Sequence, residues 1–128
     1  MRASARAVLA LAGLDGLMAV AAGAFGAHGV HDPMVQSLLR TGAQYQATHA
    51  VAALACSGLL SLAPKPAAWA GWLFVVGGLV FGASLYLLAF TGVRMLGAIT
   101  PLGGLMLMMG WAAVIWGAVS AREAATGR

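Results

Sequence analysis

The chain has 128 residues, 62% of them hydrophobic and 8% charged, with a formal net charge of +4. A soluble domain carries about 25% charged residues, so the composition excludes one and indicates a single integral membrane domain over residues 1–128. The seven Lys and Arg residues stand at the ends of apolar runs instead of forming a patch, which argues against nucleic acid as a partner and leaves membrane lipids in that place.

No formal charge interrupts the chain from Pro66 to Val93 or from Met95 to Ala121, each run exceeding the roughly 20 apolar residues that cross a bilayer core. The predicted spans are Ala7–Ala27, Ala43–Ala63, Ala67–Phe90 and Gly97–Val119, rich in Ala, Leu and Gly without the alternation of a membrane barrel. The expectation is an all-α bundle of four transmembrane helices. Arg2, Arg6, Lys65, Arg122 and Arg128 fall on the side of the termini and only Arg40 and Arg94 on the other, which predicts both termini in the cytoplasm.

The first span opens on a basic, apolar segment resembling a secretion signal or presequence, but Asp15 in its middle argues for a retained helix. Gly23 and Gly26 provide small surfaces for a neighbouring helix, and Asp15, Ala19, Ala22 and Gly26 share a stripe that turns the acid toward protein. Next, Asp32-Pro33 reads as a helix cap followed by a first-turn proline. Met34, Val35, Leu38 and Leu39 on one face then predict a short interfacial helix that either runs into the second span or breaks at Gly42.

Cys56, alone in an apolar stretch, reads as a small buried hydrophobe. Pro64-Lys65-Pro66 predicts a turn, with Trp69 and Trp72 as interfacial anchors. Gly78 and Gly82 in the third span form a close-packing pair, and Thr100-Pro101 repeats the cap-then-proline signal at the start of the fourth, ahead of Gly103 and Gly104. Met106, Met108 and Met109 are expected to fill packing gaps.

A helix rises about 1.5 Å per residue, so His49 lies roughly 9 Å below the outer edge of the bilayer core and Ser84 and Tyr86 within about 5 Å of it. His28, Gln44, Tyr45, His49, Ser84, Tyr86 and Thr100 thus converge on one leaflet, either as interhelical hydrogen bonds or as a small polar pocket open to the outer face. In the pocket reading, the amino end of the fourth helix forms a floor able to hold an anionic or hydrogen-bonding head group. Asp15 stands apart, about 18 Å below that edge, as either a proton-carrying acid or a neutral hydrogen-bond donor. His28, His31 and His49 lack metal-ligand spacing, and no nucleophile and base, phosphate loop or carboxylate pair can be assembled. The inventory therefore implies no metal, no cofactor, no catalytic residue and no enzyme.

Four ordered blocks carry a resemblance. They are Gly23-Ala24-Phe25-Gly26-Ala27-His28-Gly29, Gln44-Tyr45-Gln46-Ala47-Thr48-His49, Phe81-Gly82-Ala83-Ser84-Leu85-Tyr86, and Ile99-Thr100-Pro101-Leu102-Gly103-Gly104 before Gly110-Trp111. Together they resemble the YgdD-like, or transmembrane protein 256, family, a domain of unknown function. The resemblance implies a small multi-pass protein of bacterial inner membranes with no established activity or cofactor. The expected function is that of a non-enzymatic accessory or scaffolding component, forming a homo-oligomer or packing on another membrane protein. Its alternatives are a carrier or channel for a small solute or proton, and a lipid or quinone binder using the outer polar set.

Overall fold

The computed structural model describes residues 2–127 and contains four helices, α1 (Ala3–His28), α2 (Pro33–Leu59), α3 (Pro64–Thr91) and α4 (Leu96–Thr126), with no strand among the described residues. Arg128, counted above on the terminal side, lies outside them. Each predicted span overlaps one helix. α1, α3 and α4 are long and apolar enough to cross a membrane. α2 has 27 residues but falls short in apolarity, because Gln36, Arg40, Gln44, Gln46 and His49 share its length.

Residue pairs across the interfaces fix the arrangement. Gly26 meets Leu39, Gly23 meets Ala43 and Asp15 meets Gln46, so α1 and α2 run antiparallel. Gly103 lies against Phe81 and Gly110 against Phe74, giving the same relation between α3 and α4. α3 packs on all three other helices. The core is thin and made largely of small residues: Ala12, Ala53, Cys56, Ala70 and Ala113 surround the fully buried Phe74. A Cβ on Gly110 would sit 2.6 Å from the Phe74 ring, so the absent side chain is what admits the ring. Leu17, Val20, Met108 and Ile115 point outward, each more than 65% exposed, as suits a surface solvated by hydrocarbon.

Three local expectations are corrected. The segment after α1 is not a separate interfacial helix, since α2 runs unbroken from Pro33 through Gly42 to Leu59. Asp32 does cap it, its Oδ1 accepting from the amides of Met34 (2.8 Å) and Val35 (3.1 Å). Gly42 does not break the helix; it makes room for Tyr86, whose Cε1 would lie 2.6 Å from an added Cβ.

Pro64-Lys65-Pro66 is not a turn but the first turn of α3, the chain reversing instead over residues 60–63. Prolines fit there because first-turn amides have no helical acceptor. Thr100-Pro101 does not begin the fourth helix. Gly92, in the left-handed region at φ 69°, ends α3, and bonds from Leu96, Gly97 and Ala98 to the carbonyls of Val93, Arg94 and Met95 wind the chain into α4 one turn earlier. Pro101 consequently lies inside the helix.

Candidate functional site

The polar side chains resolve into three separate interhelical groups. The deepest joins three helices. On α1, Asp15 belongs to the buried stripe of Val8, Ala12, Ala19 and Gly26 and is 1% exposed. Gln46 of α2, fully buried, donates from Nε2 to Asp15 Oδ1 at 2.8 Å, and its Oε1 accepts from the Tyr86 hydroxyl of α3 at 2.7 Å. The amide is thereby fixed in orientation, since the hydroxyl donates to its oxygen and the carboxylate accepts from its nitrogen.

Glycines shape this chamber. A Cβ on Gly82 would lie 2.8 Å from Gln46 Oε1, and one on Gly78 would lie 3.5 Å from Asp15 Oδ2. The Gly78–Gly82 pair therefore accommodates polar side chains of the same molecule. Asp15 Oδ2 is buried with no hydrogen-bond partner among the described residues.

The second group lies between α2 and α4. Trp111 donates from Nε1 to His49 Nε2 at 3.0 Å, and His49 Nδ1 lies 2.6 Å from the Tyr45 carbonyl oxygen. An indole N–H can only donate, so Nε2 is the acceptor and Nδ1 carries the hydrogen given to Tyr45. Phe74 packs against both rings, with centroids 4.9 Å from Trp111 and 5.5 Å from His49, while Tyr45 lies 4.7 Å from Phe81. The third group is a pair of hydroxyls, Ser84 of α3 and Thr100 of α4, 2.7 Å apart.

The seven residues expected in one outer cluster are thus dispersed. Tyr86 joins Asp15 through Gln46, His49 joins Trp111, and Ser84 joins Thr100. Tyr45 is half-exposed and contributes its carbonyl and ring, while His28 and Gln44 face outward and join none of these groups. Thr100 accepts no capping role, because α4 begins at Leu96. The amino end of that helix therefore lies a turn away from the expected pocket floor.

A cleft of about 280 Å³ does open between α1 and α2 beside Gly23, Arg40 and Gln44, but it takes in none of His49, Ser84, Tyr86 and Thr100. No group of three His, Cys, Asp or Glu side chains suited to a metal ion occurs among the described residues. The glycines singled out in the sequence lie at contacts within the chain: Gly23 and Gly26 against α2, Gly78 and Gly82 at the polar chamber, and Gly103 and Gly104 against Phe81.

Neither Trp111 nor Gln46 belongs to the seven residues expected in the outer cluster, although Gln46 links the deepest group. Its signal was positional: Leu39, Ala43, Gln46, Ala50 and Ala53 follow one helical face, otherwise made of Ala and Leu, that is buried throughout. Trp111 carried no comparable signal, being 46% exposed while its N–H reaches His49 and its ring packs on Phe74.

The family described as a protein of unknown function (DUF423) matches residues 22–104, a stretch that includes Gln46, His49, Ser84, Tyr86 and Thr100 but neither Asp15 nor Trp111. The UPF0382 membrane protein YwdK of Bacillus subtilis is 42% identical over 86 residues, covering 62% of this chain and 66% of that one. The UPF0382 inner membrane protein YgdD of Escherichia coli K12 is 34% identical over 84 residues, 63% of either chain. The UPF0382 membrane protein SH2409 of Staphylococcus haemolyticus is 55% identical over 47 residues, 37% of this chain and 38% of the relative. The chain spans less than two thirds of the length of the staphylococcal relatives SH2409 and SERP0230, 38% and 65% respectively. No solved structure matches.

Proposed function

Because the chain belongs to the DUF423 family of membrane proteins of unknown function, we propose that it acts by assembly: a non-enzymatic, four-span component that associates with its own copies to support a larger membrane structure. The observation that carries this reading is the mutual pairing of the interior polar groups. Tyr86 and Asp15 both bond Gln46, Trp111 bonds His49, and Ser84 bonds Thr100, which favours a static bundle over a polar passage. The outward face of α1 supplies a surface for association. Gly13 has open space around it, and Ala21 and Ala24 on the same helix are exposed, so another helix can approach closely.

The reading is tested by cross-linking the full chain in membranes and by native mass spectrometry in mild detergent. Multimers are expected for the wild type and for Asp15→Asn, with their loss in a Gly13→Ile, Ala21→Ile double variant. A wild type that stays monomeric in both measurements overturns it.

One observation favours a second reading, that of a carrier for protons or a small solute. Asp15 Oδ2 is a buried carboxyl oxygen with no partner among the described residues, and intramembrane acids mark transport pathways in other proteins. Proteoliposome flux that disappears with Asp15→Asn would establish this reading in place of assembly.

A further inference from the structure

We infer that the end of the bundle holding the termini contains a binding groove for one anionic phospholipid. A cleft of about 370 Å³ opens there between the start of α1, the end of α2 and the start of α3, within the size range of small-molecule sites. Its lining is graded. Arg2, Ser4 and Ser61 are exposed at the rim, while Val8, Cys56 and Gly71 form a buried apolar floor. Among the described residues that line the cleft, Arg2 is the single charged one and none carries a carboxylate.

A cationic, hydroxyl-bearing rim above a hydrocarbon floor matches an amphiphile with a negative head and an acyl chain. From Arg2 to Val8 the helix descends about 9 Å, so the floor receives the upper part of a chain while the guanidinium remains at head-group level. At the floor Gly71 lets α1 and α2 meet α3 closely, since an added Cβ would lie 3.3 Å from Val8 Cγ1 and 3.8 Å from Cys56 Cβ. This inference concerns a different part of the molecule from the α1 face proposed for assembly, and its outcome is independent of oligomer size.

The test is native mass spectrometry of the full chain in mild detergent, titrated with phosphatidylglycerol or with phosphatidylcholine of identical acyl chains. The wild type is expected to retain phosphatidylglycerol about five-fold more strongly, the effect of one cation close to an anionic lipid. Arg2→Glu should erase that preference. Arg122→Glu, an equal charge change at the same end of the bundle but outside the cleft, should preserve it. Ala68→Trp, at an exposed lining position, should fill the groove and reduce retention of both lipids severalfold. Equal retention of the two lipids by the wild type overturns the proposal. So does an Arg122→Glu effect as large as that of Arg2→Glu, an Arg2→Glu variant that keeps the preference, or an Ala68→Trp variant that binds as the wild type does.

Discussion

Adjacent glycines of α4 differ in what a methyl group would meet. At Gly103 a Cβ would stand 2.5 Å from the Phe81 amide nitrogen and 3.0 Å from the Gly77 carbonyl oxygen, both backbone atoms that move only if α3 and α4 separate. At Gly104 it would meet the Phe81 ring at 3.8 Å, an ordinary contact. Gly103→Ala is therefore expected to destabilise the protein by about 2 kcal/mol, in the range for overpacking. Gly104→Ala should change stability by no more than about 0.5 kcal/mol. Reversible denaturant unfolding in mixed micelles, followed by circular dichroism, measures the difference. In the sequence the two positions are indistinguishable members of a small-residue run, because their roles depend on the azimuth of α4 against Phe81. The same limitation hid the partner of Asp15: its burial could be read from the helical stripe, whereas the link to Gln46 requires the relative height of α1 and α2.

At the scale of the helix, boundaries determined by local chemistry were the most legible. Asp32-Pro33 identified the start of α2 because both the cap and the proline act within one turn. Asp32→Ala should remove the acceptor shared by the Met34 and Val35 amides and cost about 1 kcal/mol. Hydrogen exchange should show faster exchange at those two amides with no change beyond Leu39; unchanged rates at both would disprove the capping role. The same two-residue logic misplaced the start of α4, since the left-handed Gly92 and the turn after it take the chain into the helix before Thr100 is reached. Thr100 then spends its hydroxyl on Ser84, a contact between helices that no local pattern encodes.

Across the whole molecule, the unresolved tension lies in α2, the one helix whose own composition does not qualify it to cross a membrane. Its neighbours supply the missing argument. α2 lies alongside α1 from Leu39 at Gly26 to Gln46 at Asp15, and alongside α3 from Gly42 at Tyr86 to Cys56 near Gly71. If α1 and α3 span the bilayer, α2 occupies the same depth. Its inward polar residues are compatible with that depth because Gln46 and His49 bond within the bundle, an arrangement worth about 0.6 kcal/mol per bond in other membrane proteins. The basic residues Arg2, Arg6, Lys65 and Arg122 gather at the terminal end, which predicts that end on the cytoplasmic side. In a Cys56→Ala background, Val30→Cys and Val93→Cys should therefore react with an impermeant maleimide in spheroplasts, whereas Leu62→Cys should react only after permeabilisation. Labelling of positions 30 and 62 from one side would mean that α2 does not cross. The reverse pattern, with position 62 exposed and positions 30 and 93 protected, would keep four spans and invert the protein in its membrane.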